Sequence, residues 1–140
     1  MLKHKTSVRV RYADTDQMQY AYNGKYFEYF EVGRTEMMRE HGLPYKEIER
    51  NGYIMPVHSV HINFKNPAFY DELLEVETRV EKLPQLKVRI DHTVRSLDRD
   101  IEICSGYVEL VFVKRIYRKV SRPPEFFTDA IKQYFVNQSV

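Results

Sequence analysis

Residues 14–38 read DTDQMQYAYNGKYFEYFEVGRTEMM. Two acids flank a threonine in Asp14-Thr15-Asp16, and a turn follows at Tyr22-Asn23-Gly24. From Lys25 the apolar residues fall at helical spacing. Tyr26, Tyr29, Phe30, Gly33 and Met37 make one stripe, and Phe27 and Met38 widen it. Asn23 is the expected N-cap, with Gly24 after it; Gly42, with Pro44 beyond, is the expected stop. Roughly sixteen residues make about 24 Å of helix. Its apolar coverage is too wide for an isolated surface helix. Gly33 in mid-helix costs about 1 kcal/mol against alanine, which marks the close approach of another backbone.

Most of the remaining chain reads as strands around that helix. Residues 7–12 alternate, with Val8, Val10 and Tyr12 on one side and Arg9 and Arg11 on the other. Residues 44–51 form a short helix with proline in its first turn, ended by Gly52. Residues 54–65 alternate through His58, Val60, Ile62 and Phe64. Residues 73–83 turn Leu74, Val76, Thr78 and Val80 inward. Residues 86–94 place Leu86, Val88, Ile90, His92 and Val94 on one face. The longest expected strand spans 101–113, and its VELVFV run is apolar on both faces, so it should be central or at a subunit interface. Residues 125–136 form a last amphipathic helix. This order implies an α+β fold in one domain over 1–140. A five-stranded antiparallel sheet curls around one long central helix, with a C-terminal helix beyond. One large helix leaves part of the sheet bare, which predicts at least a homodimer.

Composition narrows the class. A net charge of +2 over 140 residues gives no electrostatic footprint for nucleic acid. No run of about 18 apolar residues exists, so no membrane span is expected. The opening MLKHKTSVRVRY lacks the apolar segment of a signal peptide. The single cysteine, Cys104, excludes an intramolecular disulfide and fits a reducing cytoplasm. It sits in a strand-like run and reads as a small core residue.

The stretch VRVRYADTDQMQYAYNGKYFEYFEVGRTEMMREHGLPY resembles the opening of the 4-hydroxybenzoyl-CoA thioesterase-like hotdog family. The resemblance rests on Asp14-Thr15-Asp16, Met18, Tyr26, Phe30-Glu31 and Arg34 in register, and on the strand order that follows. It implies a hotdog fold, acyl-CoA thioesterase activity, and dimers or tetramers with active sites at dimer interfaces. Many members carry Gly where this chain has Gln19 and His where it has Tyr22. The aspartate that carries the family chemistry matches Asp16.

Asp16 is therefore the expected catalytic group, attacking the thioester carbonyl or activating a water. Backbone N–H groups near Asn23 and Gly24 would hold the oxyanion, and Tyr22 would bond the substrate. The leaving thiol departs as thiolate with little acid help, because its pKa is near ~8.5. Asp14 reads as structural, and Glu31 and Arg34 as a helical ion pair. Glu28, Glu31 and Glu36 are the next carboxylates to consider, because a second hotdog class places its catalytic acid on the helix. His58 and His61 face opposite sides of a strand and cannot share a metal, so no metal and no cofactor is expected. Coenzyme A enters as part of the substrate. Candidates for its phosphates are Lys87, Arg89, Lys114, Arg115, Arg118 and Lys119, with His58 lining the site. Two alternatives remain at this stage: a thioesterase acting on acyl carrier protein, and a catalytically silent acyl-binding module. A hotdog hydratase ranks lower, since no His–acid pair stands out.

Overall fold

A computed structural model describes residues 1–138. The chain runs β1 (Leu2–Arg9), a 3-10 turn (Tyr12–Asp14), α1 (Lys25–Glu40), α2 (Tyr45–Arg50), β2 (Tyr53–Ile54) and β3 (Val57–Phe64). It continues through β4 (Leu73–Val80), β5 (Val88–Ser96), β6 (Ile101–Leu110), β7 (Phe112–Lys114), β8 (Lys119–Ser121), α3 (Glu125–Ile131) and a 3-10 segment (Lys132–Gln138). Five strands pair antiparallel in the order β1-β4-β5-β6-β3, and a smaller sheet has the order β2-β7-β8.

The period-2 and period-3.6 patterns place the core. Leu74, Val76, Thr78 and Val80 of β4 are buried, as are Val88, Ile90, His92 and Val94 of β5. α1 buries Tyr26, Tyr29, Phe30, Gly33 and Met37, the stripe read from the sequence, against β1, β4 and β5. Phe27, expected to widen it, is 40% exposed. A Cβ on Gly33 would lie 2.5 Å from Thr78 Oγ1 and 2.7 Å from Val76 Cγ1. The close neighbours are thus β4 side chains, where another backbone was expected. Gly33→Ala should destabilise the protein by about 1–3 kcal/mol through overpacking, despite the helix propensity gained. Urea unfolding measures this, and a raised midpoint would show that the helix can back away.

Several expectations need correction. β1 starts and ends earlier than 7–12. Val10 leaves the β1–β4 ladder to exchange hydrogen bonds with Asp71 and Glu72, and Tyr12 enters the 3-10 turn at 79% exposure. Asn23 is not the N-cap. Gly24 holds that position, and the carbonyls of Tyr22 and Asn23 accept the Lys25 and Tyr26 N–H groups in place of a side-chain cap. The segment 54–65 is two strands, and β3 is an edge strand with Val57, Val60 and Phe64 exposed. His58 is likewise exposed, at a register shift between Val57 and Ser59, and does not pack on an apolar face. The segment 101–113 also divides: β6 lies between β5 and β3, whereas β7 joins the smaller sheet. VELVFV is apolar on both faces because two different sheets use it. The last helix is shorter than 125–136; α3 ends at Ile131 and a 3-10 segment continues.

Candidate active site

The two acids of Asp14-Thr15-Asp16 have separate fates. Asp14 is 2% exposed. Its Oδ2 accepts the Arg11 N–H at 3.0 Å and the Tyr29 hydroxyl at 2.9 Å, and its Oδ1 accepts Arg11 Nη2 at 3.0 Å. Burial opposes its charge, but the Arg11 N–H, the Arg11 guanidinium and the Tyr29 hydroxyl outweigh burial and hold the carboxyl below its usual range. Its carbonyl also accepts the Tyr22 N–H at 2.9 Å. Asp14 therefore ties the 3-10 turn to α1 and to the loop ahead of it, a scaffold role.

Asp16 is half-buried and far less committed. Its Oδ1 accepts the Met18 N–H at 2.8 Å, an Asx turn, and its Oδ2 has no hydrogen-bond partner among the described residues. The backbone closes a tight loop around it: Asp16 N–H donates to Tyr20 O at 3.1 Å and Gln19 N–H to Asp16 O at 3.0 Å. Gln19 closes that loop at φ 71°, a left-handed conformation that costs a side-chain-bearing residue roughly 1–2 kcal/mol. This is the position where many members of the resembled family carry Gly. Gln19→Gly should raise stability by about 1 kcal/mol in a chemical denaturation midpoint; an unchanged or lowered midpoint would mean that the Gln19 side chain compensates.

Tyr22, Asn23 and Gly24 come together at the start of α1. The Tyr22 ring sits over Gly24, where an added Cβ would meet its carbons at 3.0 and 3.3 Å. The N–H groups of Asn23 and Gly24 have no acceptor among the described residues. They are free donors at the positive end of a 16-residue helix. Beside them opens a cleft of about 220 Å³, lined by Tyr20, Asn23, Tyr26, Phe64, Asn66 and Pro67 among others.

Sequence reasoning missed the far wall of this cleft, residues 64–72. Ala21 N–H donates to Ala68 O at 2.8 Å, Ala68 N–H to the Tyr26 hydroxyl at 3.2 Å, and Tyr20 bridges Phe69. This wall is pinned from behind by Glu72, 6% exposed, which bonds Ser96 and Arg99 and accepts the Phe69 N–H at 2.9 Å. Arg99 Nη2 also donates to Pro67 O at 2.7 Å. Burial works against the Glu72 charge, but Arg99 and Ser96 prevail and keep its pKa low. The Asn66-Pro67 turn was the only local signal of this wall.

The remaining candidates lie elsewhere. Lys87 and Arg89 stand where β5 meets Leu110, and Lys114, Arg115, Arg118 and Lys119 belong to the β7–β8 hairpin just beyond it. That is the Val57 end of β3, whereas the cleft is at its Phe64 end, about 24 Å away along the strand. Within one chain these cations do not meet Asp16. His58 sits at the same distant end. Glu31 and Arg34 form no ion pair; Glu28 instead pairs with Lys25 at 3.0 Å, and Glu36 with Arg39. Arg34 lines a separate cleft of about 380 Å³ with Thr35, Met38, Tyr45 and Met55. Cys104 is fully buried, and desolvation pushes its thiol up to about 12, so it is no nucleophile. Among the described residues no cluster of three His, Cys, Asp or Glu side chains is placed to hold a metal, and no helix is long and apolar enough to cross a membrane.

A family model described as the thioesterase-like superfamily matches residues 10–131. YneP of Bacillus subtilis is 39% identical over 77 residues, 55% of this chain and 56% of that relative. The acyl-CoA thioester hydrolase YbgC of Escherichia coli O6:H1 is 30% identical over 76 residues, 54% of this chain and 57% of YbgC. The matches thus span little more than half the length of either relative. The crystal structure of a DHNA-CoA thioesterase from Staphylococcus aureus superposes over 100% of this chain and 97% of its own, with a TM-score of 0.89 and 30% identity.

Proposed function

The chain belongs to the thioesterase-like superfamily, and on that premise we propose that it hydrolyses acyl-CoA thioesters to free acid and coenzyme A. One observation carries the reading. A carboxylate with one oxygen fixed by Met18 N–H and the other without a partner among the described residues shares the loop ahead of α1 with two helix-start N–H groups likewise unpaired among them, and a cleft. In this reading Asp16 supplies the nucleophile or base, and Asn23 and Gly24 N–H groups receive the charge that develops on the carbonyl oxygen. An oxygen, from water activated by Asp16 or from Asp16 itself, bonds the carbonyl carbon as the carbon–sulfur bond breaks with its pair leaving on sulfur. Where Asp16 attacks, water then opens the resulting anhydride to free acid and carboxylate. The proton released from water balances the one taken up by the coenzyme thiolate. Tyr22 flanks the oxyanion donors and contacts the acyl group. Coenzyme A enters as part of the substrate, with no separate cofactor.

The fold reading that goes with this is a single hotdog domain over 1–140, with the five-stranded sheet wrapped around α1 as its central helix, working in the cytoplasm. A homodimer forms through the open edge of β3, whose exposed Val57, Val60 and Phe64 favour cover by a second copy. Two-fold pairing of this edge is antiparallel. It sets the Val57 end of one copy beside the Phe64 end of the other, and so brings Lys87, Arg89 and His58 of one copy toward Asp16 of its partner. Lys87 and Arg89 fit the coenzyme phosphates better than Lys114, Arg115 and Arg118, which stand on the smaller sheet.

The test is thiol release from a panel of aromatic, short-chain and long-chain acyl-CoAs by the purified full chain. Turnover of at least one class is expected. Binding of acyl-CoA without turnover of any thioester would overturn the proposal in favour of a silent acyl-binding module.

A further inference from the structure

Residues 114–122 read KRIYRKVSR, five cations and no acid. They form the β7–β8 hairpin, closed by Arg118 N–H donating to Lys114 O at 2.7 Å with Arg118 at φ 56°. The root of the hairpin is rigid. Phe112 is fully buried and packs edge-on against Phe127 at 4.9 Å and Tyr53 at 5.9 Å. The tip is bare: Ile116 is 85% exposed, Tyr117 71% and Val120 71%.

The charges are as uncommitted as the apolar groups. Lys114, Arg115, Arg118, Lys119 and Arg122 form no ion pair and donate no side-chain hydrogen bond among the described residues. Outside this segment every arginine except Arg34 is bonded to an acid or a carbonyl, among them Arg9, Arg79 and Arg99. The hairpin thus gathers cations without counterions around exposed aliphatic and aromatic side chains. Solvent is a poor environment for such a tip, and none of the other described residues covers it.

We infer that the β7–β8 hairpin docks the protein on an anionic lipid bilayer, with Ile116 and Tyr117 entering the interface and the five cations meeting lipid phosphates. Charge complementarity selects an acidic partner. The tip selects between acidic partners. A purely electrostatic contact with an acidic protein does not use an isoleucine and a tyrosine at the apex, whereas a bilayer interface accepts an aliphatic side chain and favours tyrosine. Within one copy the hairpin stands on the smaller sheet, at the end opposite the Asp16 loop.

Co-sedimentation of the full chain with phosphatidylcholine vesicles, with and without phosphatidylglycerol, tests this. The protein should pellet with anionic vesicles, remain in solution with neutral ones, and be released by salt. Ile116→Ser with Tyr117→Ser, and separately Lys119→Glu with Arg122→Glu, should each lower partitioning at least about tenfold, with unchanged thermal unfolding. The serine pair should still hydrolyse a soluble short-chain acyl-CoA at the parental rate. No binding to anionic vesicles, equal binding to neutral ones, or variants that bind like the parent would each overturn the inference. So would capture by an acidic acyl carrier protein without vesicle binding. Vesicle binding by a protein that turns over no thioester would leave this inference standing and defeat the hydrolase proposal.

Discussion

Asp16→Asn should yield a folded protein whose acyl-CoA hydrolysis is slower by about 10²–10⁴-fold, the usual scale for removing a positioned base. The substitution separates chemistry from folding. Asparagine keeps an oxygen that accepts the Met18 N–H, so the Asx turn survives, while the negative charge and the free basic oxygen are lost. A residue that only shaped the turn would therefore show near-parental kcat/KM. That result would remove Asp16 from the mechanism and turn attention to Glu31, the α1 acid that has no ion pair among the described residues. Asp14→Asn is the contrasting control. It weakens the bonds to Arg11 and Tyr29 inside a buried site and should cost about 1–3 kcal/mol of stability.

The second large effect is on acid stability. His92 is fully buried, stacked on Phe30 with ring centroids 4.5 Å apart, and its Nδ1 lies 3.1 Å from Thr78 Oγ1. Its Nε2 has no hydrogen-bond partner among the described residues. A proton on Nδ1, donated to Thr78, leaves Nε2 as an unmet acceptor, which is cheaper than an unmet N–H. Burial above all, then the charges of Arg34 and Arg79, depress the imidazole pKa to about 3. The unfolded chain takes up this proton near pH ~6.5, but the folded protein does not until far lower. The folded-state pKa is the lower of the two, so stability is full above about pH 6.5 and falls as pH drops toward 3. Between pH 7 and 4.5 the loss should be about 2–3 kcal/mol. Asp14 and Glu72, whose pKa values are also lowered, add their losses mainly below about pH 4. Urea titrations at several pH values should show the slope between 6.5 and 4.5 in the parent and its absence in His92→Leu combined with Thr78→Val, which removes both polar partners. Equal slopes in the two proteins would sink the assignment.

Residues that repeat with a local period were legible from the sequence. The buried face of α1 and the inward faces of β4 and β5 follow from helix and strand geometry acting over a few residues. The separation of Asp14 from Asp16 was half legible. The motif marked both, but their difference comes from Tyr29, fifteen residues on, reaching back to Asp14. The left-handed turn at Gln19 explains why glycine suits that position, which the sequence presented only as a departure from a pattern.

The amino-acid sequence by itself determined the α+β class, the antiparallel strands, the core stripe of α1 and the loop that carries the candidate carboxylate, because short-range periodicity and turn chemistry encode these. Only the tertiary structure decided which strand ends meet. It split VELVFV between two sheets, left β3 on an open edge, built the cleft wall from residues 64–72 with the Glu72–Arg99 pair behind it, and set the basic residues at the end of the sheet opposite Asp16. Each of those outcomes depends on pairing between segments dozens of residues apart, where the chain's local pattern is the same for every possible partner.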